Sequence, residues 1–131
     1  MEDHVETLRR YLSALEGFAP RAELESFFTP DAVQQEYPNR LFAEGRKNDL
    51  STMMSAYDKG AELLSSQKYV LRNTVAEGDQ VAAEIEWTGT LRTGFGSLAA
   101  GATLRASLGM FFTFVGSRIA SIKNYDCYYP F

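Results

Sequence analysis

Two carboxylates and a tyrosine are the side chains of this sequence whose placement best suits proton-transfer chemistry. Glu36 and Asp126 fall on predicted strands, and Tyr11 falls on a predicted helix. A carboxyl group that apolar walls shield from water has a raised pKa and can exchange protons near neutral pH. A phenol can donate a hydrogen bond to a developing negative charge. These residue types therefore predict an acid/base site in which Glu36, Tyr11 and Asp126 are catalytic.

Other kinds of site lack the residues that they require. The sequence has one histidine, His4, and one cysteine, Cys127, so zinc sites and Ser-His or Cys-His catalysis are poorly supported. His4 is predicted to lie in a frayed end, and Cys127 is interpreted as a small hydrophobic residue. A single cysteine permits no internal disulfide, which fits a reducing cytoplasm. We expect neither a metal nor another cofactor.

The C-terminal hairpin is predicted to supply the wall of a pocket. Every second residue from Leu104 to Phe114 is apolar, which is typical of a long strand with one dry face. After a turn at Gly116-Ser117, a partner strand returns with polar groups on its inner face, which comprises Ala120, Ile122, Asn124, Asp126 and Tyr128. The predicted ligand-binding residues are Asn124, Trp87, Ile85, Met110, Phe112 and Gln34.

A purely structural role is open for each candidate. Glu36 could be a solvated carboxylate at a strand end, because a neighbouring residue on the same face is also polar. Tyr11 could place its ring in the core and its hydroxyl in water. The polar pair on the last strand could fix the strand register, with its carboxylate paired to Arg105 or Lys123.

Three helices are predicted in the first half of the chain. Apolar residues recur at helical spacing over residues 3–17 and 50–64. A shorter helix is predicted to begin at Pro20 and to include Phe27 and Phe28, before Thr29-Pro30-Asp31 breaks it. Residues 33–37 are predicted to form a short strand.

Strands dominate the second half. Residues 69–77 and 80–91 alternate in polarity on either side of Gly78-Asp79, which is a good two-residue hairpin turn. Helices followed by antiparallel strands predict an α+β fold, with the helices on one face of a strongly curved sheet. Such a sheet leaves a cone with an open mouth, where small-molecule sites are usual.

Length and charge limit the organisation and the partners of the protein. The chain has 131 residues, enough for one domain, predicted to span residues 1–131. Its net charge is -4 and its basic residues are scattered, so no nucleic acid is expected as a partner. No apolar run approaches the roughly 20 residues of a membrane helix. The acidic N-terminus differs from a secretory signal, and we expect a cytoplasmic protein with no membrane association.

The outer face of the final hairpin predicts self-association. It carries a large apolar surface formed by Phe111, Val115, Tyr125, Cys127 and Tyr129. No predicted helix remains to cover this surface. A homodimer through the outer sheet face is therefore expected.

The order of these elements resembles the nuclear transport factor 2-like superfamily, and within it the SnoaL-like proteins. The resemblance spans nearly the whole chain and is carried by Phe28-Thr29-Pro30-Asp31-Ala32-Val33, Glu77-Gly78-Asp79-Gln80-Val81-Ala82, Trp87-Thr88-Gly89-Thr90, Ser117-Arg118-Ile119 and Asn124-Tyr125-Asp126. It implies a cone-shaped α+β barrel that is commonly a homodimer. The superfamily includes isomerases, cyclases, hydrolases and non-catalytic binders, so the fold alone does not determine function.

Steroid isomerases of this superfamily offer one comparison of site residues. The segment at residues 10–15 resembles their tyrosine segment, which would make Tyr11 a hydrogen-bond donor. Glu36 falls at the position of their catalytic base. Their third site residue, a protonated aspartate, corresponds to Met110, which cannot donate a hydrogen bond.

Two other enzyme groups complete the comparison. Limonene-type epoxide hydrolases use an arginine and two aspartates, and the corresponding residues here are Ile85, Trp87 and Asn124, so that triad is absent. SnoaL-type cyclases use a single acid/base aspartate, a role that Asp126 or Glu36 could take. The resemblance thus implies a cofactor-independent isomerase, cyclase or hydrolase acting on a small apolar molecule. The alternative is a non-catalytic ligand-binding or dimeric scaffold module.

Overall fold

The computed structural model describes residues 3–131, which form three helices and six strands. In chain order these are α1 (His4–Glu16), α2 (Arg21–Glu25), β1 (Phe28–Glu36), β2 (Arg46–Asp49), α3 (Leu50–Leu63), β3 (Leu64–Glu77), β4 (Gln80–Leu91), β5 (Thr103–Val115) and β6 (Arg118–Tyr128). The α+β class is confirmed, because the helices contact one face of a mainly antiparallel sheet.

The six strands form one sheet in the order β2-β1-β6-β5-β4-β3. β1 and β6 run parallel, and the other neighbouring strands run antiparallel. Met110 of β5 lies opposite Ala83 of β4 on one side and Asn124 of β6 on the other. This register places the polar residues of β6 next to the apolar row of β5 on the inner face.

Capping residues and apolar stripes account for the two long helices. The Asp3 side chain accepts a hydrogen bond from the Glu6 amide at 3.0 Å, and the Asp49 side chain accepts one from the Thr52 amide at 2.8 Å. The buried side chains of α1 include Leu8, Tyr11 and Leu12, and those of α3 are Met53 and Met54. In the described part of the chain, no helix is long and apolar enough to cross a membrane.

The prediction for residues 20–37 was wrong in two respects. α2 ends at Glu25, and β1 already begins at Phe28, so Thr29-Pro30-Asp31 lies within a strand. Pro30 is tolerated there because the register with β6 shifts between Phe28 and Val33, and pairing with β2 begins only at Val33. The missing amide hydrogen of proline therefore breaks no regular ladder bond.

Strand boundaries elsewhere also differ from the predictions. β2 was not predicted, because Arg46–Asp49 consists of four polar residues and has no apolar alternation. β3 begins at Leu64, directly after α3, rather than at residue 69. Pairing between Leu64 and Leu91 extends the β3–β4 ladder over this added segment.

His4 is anchored rather than frayed, so that prediction was also wrong. Its ring is 7% exposed and stacks on Phe114 with a centroid separation of 4.1 Å. Nε2 of His4 lies 3.1 Å from Oδ1 of Asp79, in the turn between β3 and β4. These contacts join the start of α1 to the far end of the sheet.

The outer face of the sheet is exposed as expected. Phe111, Val115, Tyr125 and Tyr129 are each between 43% and 63% exposed, and Tyr37 stacks on Tyr125 with a centroid separation of 4.4 Å. The helices lie on the opposite face, so this aromatic surface faces solvent in the single chain.

Candidate active site

A cavity of about 500 Å³ opens between the inner face of the sheet and helices α1 and α3. Much of its wall is apolar and includes Leu12, Leu24, Met53, Met54, Leu108 and Met110. A polar group of side chains also lines it, comprising Gln34, Glu36, Arg46, Asn124 and Asp126. This combination suits a small, mainly apolar molecule that carries a few polar atoms.

Asp126 lies on β6 with its side chain half-buried in the cavity wall. Burial raises the pKa of its carboxyl group to about 6, because loss of solvent disfavours the charged form. The Asn124 hydrogen bond lowers this pKa, the negative charge of Glu36 raises it, and the positive charge of Arg46 lowers it. Asp126 can therefore take up or release a proton close to neutral pH.

Amide side chains connect Asp126 to strand β2. Asn48 Nδ2 donates to Gln34 Oε1 at 3.1 Å, and Gln34 Nε2 donates to Asn124 Oδ1 at 2.9 Å. Asn124 Nδ2 in turn donates to Asp126 Oδ1 at 3.4 Å. The three hydrogen bonds therefore run in one direction, with each amide donating toward the Asp126 carboxyl group.

Glu36 is engaged in an ion pair. It lies on β1 opposite Arg46 of β2, and its side chain is buried. Arg46 Nε donates to Glu36 Oε2 at 2.5 Å, and Arg46 Nη2 donates to Oε1 at 3.4 Å. The guanidinium group also lies 3.8 Å from the centroid of the Phe42 ring. Because both Glu36 oxygens accept hydrogen bonds, Asp126 is the freer of the two carboxyl groups.

Four tyrosines line the same cavity. The Tyr57 hydroxyl donates to the Ala19 carbonyl at 2.7 Å, which leaves three for a ligand: Tyr11 of α1, Tyr69 of β3 and Tyr128 of β6. Burial raises the pKa of each phenol above its ordinary value, and the charge of Asp126 raises the pKa of Tyr69 and Tyr128 further. The three hydroxyls therefore stay protonated and can donate hydrogen bonds. The Tyr11 ring is held by edge contacts with Phe27 and Phe28.

Trp87 forms a fixed part of the wall. Its Nε1 donates to Gln67 Oε1 at 3.0 Å, and Gln67 Nε2 donates to the Leu15 carbonyl at 2.8 Å. The Tyr128 ring meets Trp87 edge-on at a centroid separation of 6.3 Å. These contacts join the last turn of α1 to the sheet at the cavity.

Most of the predicted site residues lie together around the cavity. Those that line it are Tyr11, Gln34, Glu36, Trp87, Met110, Asn124 and Asp126. Ile85 and Phe112, predicted as ligand-binding residues, are instead 1% exposed in the core. They belong to the same buried cluster as Leu8 and Leu12 of α1, so they are part of the core rather than of the cavity wall.

The structural alternatives for the last strand are partly realised. Asn124 does bond across strands, to Gln34 on β1. Within residues 3–131, however, Asp126 forms no ion pair with Arg105 or Lys123. Arg105 instead lies 4.7 Å from the ring centroid of Tyr129 on the outer face.

Sequence reasoning missed several residues of the site. Strand alternation places Tyr128 on the predicted pocket wall with Asn124 and Asp126, but Tyr128 is not among the predicted catalytic or ligand-binding residues. Arg46 and Asn48 lie on a strand that the sequence did not reveal. Tyr69 is the first residue of a predicted strand, and the sequence pattern did not indicate which face of the sheet its side chain occupies.

A second depression of about 840 Å³ lies between α1, α2 and the β5–β6 turn. Its polar lining includes Arg10, Glu23 and Arg118, all of which are exposed. It lacks a partly buried carboxyl group comparable to Asp126. We therefore place the candidate chemistry in the smaller cavity.

The arrangement around Asp126 is suited to moving a proton. One carboxyl group can exchange a proton near neutral pH, and phenols can donate to an oxygen that gains negative charge. Within residues 3–131, no group of three or more His, Cys, Asp or Glu side chains is placed to bind a metal ion.

Comparison with known proteins bears on the family and the fold. A family model described as a SnoaL-like domain matches residues 8–122. Among curated proteins, no sequence matches the chain.

Solved structures share the fold at low sequence identity. IdmH, a proposed polyketide cyclase from Streptomyces antibioticus, superposes with a TM-score of 0.80 at 17% identity, covering 95% of this chain and 92% of IdmH. AclR, a proposed hydroxylase from Streptomyces galilaeus, gives 0.78 at 16% identity, covering 94% of this chain and 74% of AclR. A proposed SnoaL-like polyketide cyclase from Jannaschia sp. CCS1 gives 0.74 at 18% identity, covering 94% and 84%.

Proposed function

The chain belongs to the SnoaL-like domain family, and from this premise we propose that it is a cofactor-independent enzyme of the cyclase type. Its substrate would be a small, mainly apolar molecule that carries carbonyl groups. The observation that carries the proposal is the position of Asp126, a partly buried carboxyl group at the wall of a mostly apolar cavity. The similarity of the fold to proposed polyketide cyclases supports the reaction class.

The proposed reaction begins with proton abstraction. The Asp126 carboxylate removes a proton from a carbon next to a carbonyl group, so a C–H bond breaks and an O–H bond forms on Asp126. The electron pair moves to the carbonyl oxygen, and a phenol of Tyr11, Tyr69 or Tyr128 donates a hydrogen bond to the resulting enolate. The enolate carbon then attacks a second carbonyl carbon of the same molecule and closes a ring. The protonated Asp126 returns its proton to the new alkoxide.

The other predicted catalytic residues take supporting parts in this proposal. Tyr11 is a donor to the enolate oxygen. Glu36, whose two oxygens are held by Arg46, keeps negative charge near Asp126 and so raises the pKa of the base. Raising the pKa of a carboxylate toward the working pH increases its strength as a base without leaving it fully protonated.

Deuterium exchange in a simple ketone tests the proton transfer. In D₂O, the wild-type protein should accelerate exchange at the carbon next to the carbonyl of 2-tetralone, an apolar bicyclic ketone, as followed by proton NMR. The rate should rise with pH up to about 6 and then level off, because the carboxylate form is the base. Asp126→Asn should lower the catalysed rate at least about 100-fold.

Asp31→Asn is the matched control, because Asp31 is an exposed carboxylate on β1 that does not line the cavity. This variant should exchange at the wild-type rate. Undiminished exchange in Asp126→Asn, or no acceleration by the wild type across a series of aryl ketones, would contradict the proposed function.

Binding without chemistry is the second candidate function. It is favoured by the Glu36–Arg46 ion pair, which occupies the carboxylate at the predicted base position. Trp87 is the single tryptophan of the sequence and lines the cavity, so its fluorescence reports occupancy directly. A fluorescence change on adding 2-tetralone, with no acceleration of exchange, would favour this candidate over the enzyme.

A homodimer through the outer sheet face is also proposed. The exposed aromatic surface of β5 and β6 supports it, since such a patch is costly to leave in water. The occupant that we infer is a second copy of the chain. A twofold axis parallel to the strands would place Glu84 and Glu86 of β4 near Lys123 of β6 and Lys47 of β2 in the other copy. Light scattering should give twice the mass of the monomer at micromolar concentration, and a monomer would contradict the proposal.

A further inference from the structure

Three side-chain amides between β2 and β6 form a hydrogen-bonded series in which every donor points toward Asp126. Asn48, Gln34 and Asn124 each donate to the next residue, and the last donor meets Oδ1 of Asp126. Asn48 and Asn124 are buried, at 7% and 6% exposure, so water competes little for these bonds. The amide chain crosses three strands, because β1 lies between β2 and β6.

Reversing this polarity would be unfavourable while Asp126 is ionised. A side-chain amide donates from its nitrogen and accepts at its oxygen, so rotating one amide forces its neighbours to rotate too. If all three rotated, the Asn124 oxygen would face the Asp126 carboxylate and repel it. The observed polarity therefore favours the charged form of Asp126, whereas the reversed polarity would favour the neutral acid.

Other charged groups also act on Asp126. Glu36 of β1 raises the pKa of Asp126, and Arg46 of β2 lowers it. Asp126 in turn raises the pKa of two phenols, those of Tyr69 on β3 and Tyr128 on β6. Asn48 differs from these groups because it is uncharged and does not line the cavity. A substitution at Asn48 can therefore alter the amide chain while leaving both the local charge and the cavity wall unchanged.

We propose that Asn48 is a positioning residue for Asp126, acting through Gln34 and Asn124 to hold a hydrogen-bond donor on the carboxylate. Its catalytic consequence rests on the proposed function, since Asp126 is the base in that reaction. The effect of Asn48 on the titration of Asp126 does not rest on the proposed function, because it concerns one carboxyl group in the folded protein whether or not a reaction takes place.

NMR titration of the Asp126 carboxyl carbon in protein labelled with ¹³C-aspartate tests the proposal. Asn48→Ala frees Gln34 to rotate and so weakens the donor on Asp126. The titration midpoint of Asp126 should then move to higher pH by about half a pH unit, because a hydrogen bond to the charged form is lost. Asn73→Ala removes an exposed amide that donates to Glu84 on the outer face, and it should leave the midpoint unchanged.

A double-mutant cycle tests the route. Gln34→Leu should raise the Asp126 midpoint by itself, and adding Asn48→Ala to Gln34→Leu should raise it no further, because both changes interrupt the same chain. If Asn48→Ala does not fold, the rise in Gln34→Leu alone serves as the test. An unchanged midpoint in the folded variants, or additive effects in the double variant, would overturn the proposal.

The pH dependence of catalysis separates this inference from the proposed function. In Asn48→Ala, the pH at which the exchange rate levels off should increase together with the NMR midpoint. A shifted midpoint with no exchange activity in any variant would refute the enzyme and leave the positioning role in place. Exchange lost in Asp126→Asn, with no shift in Asn48→Ala, would refute the positioning role alone.

Discussion

At the scale of single residues, Asp126 makes opposite contributions to stability and to the proposed chemistry. Its carboxyl group has a pKa of 3.8 in the absence of perturbation and of about 6 in the folded protein, mainly because of burial. The folded state therefore binds the Asp126 proton more tightly than the unfolded state does. The resulting stabilisation is complete below pH 3.8 and is lost as the pH rises through 6.

Replacing this carboxyl group by an amide should stabilise the protein at neutral pH. Asp126→Asn removes the cost of a buried charge, so the free energy of unfolding at pH 7 should rise by up to about 3 kcal/mol. Near pH 3.5 the wild type already carries a mostly neutral carboxyl group, and the two proteins should unfold alike. Urea unfolding at both pH values measures this, and a variant less stable than wild type at pH 7 would contradict it.

Two residues of the proposed site show what alternation in the sequence could predict. Asn124 and Asp126 were placed on the inner face of the last strand from period-two patterning alone, and they lie there. Asn48 and Arg46 could not be placed, because their strand has no apolar residues and exists through its pairing with β1. His4 was misjudged for a similar reason, since its partner Asp79 lies 75 positions away.

At the scale of elements, the position of Trp87 depends on a glycine two residues along β4. A Cβ built on Gly89 would lie 2.6 Å from Cζ2 of Trp87 and 3.0 Å from Cδ2 of Leu64. A residue larger than glycine there would clash with the indole and force the Trp87 side chain to move. The absence of a side chain at Gly89 thus leaves the space that the Trp87 indole occupies.

Two glycine-to-alanine variants test this dependence as a matched pair. Gly89→Ala should destabilise the fold by about 1 to 3 kcal/mol through overpacking, and it should shift the emission of Trp87. Gly60→Ala lies in α3 with no atom within 4 Å of the added carbon, and it should stabilise the helix by up to about 1 kcal/mol. Thermal unfolding and fluorescence measure both, and equal effects in the two variants would contradict the steric argument.

How far an element could be predicted depended on how local its determinants are. The β3–β4 and β5–β6 hairpins were predicted with their turns, because Gly78-Asp79 and Gly116-Ser117 interrupt clear alternating runs. The start of β1 was not predicted, because Thr29-Pro30-Asp31 favours a break. A strand is possible there only because no neighbouring strand needs the missing amide hydrogen of Pro30. The cavity was expected from the curved sheet, but its extent was not. Ile85 and Phe112 are buried in one core cluster with Leu8 of α1, and how closely a helix packs against a sheet is a tertiary property that the sequence pattern does not specify.

At the scale of the whole molecule, the charges of the outer sheet face are unevenly distributed. Glu84 and Glu86 lie on β4, beside the aromatic patch. Exposed Lys123 lies within the patch on β6, opposite Phe111, and exposed Lys47 lies beyond the patch on β2. A twofold axis parallel to the strands would place the acidic side of one copy over the basic side of the other. An axis across the strands would instead oppose like charges.

Charge reversal across the outer sheet face tests both the dimer and its axis. Lys123→Glu and Glu84→Lys should each weaken the dimer about tenfold or more, because each places like charges opposite one another in the proposed interface. Combining them should restore much of the affinity, since the complementary pairs are rebuilt with their signs exchanged. Lys59→Glu on α3 reverses an exposed charge away from this face and should leave association unchanged. Sedimentation velocity at several concentrations measures the dissociation constants. A double variant that dissociates more than either single variant would contradict this axis, and a wild type that stays monomeric throughout would contradict the dimer itself.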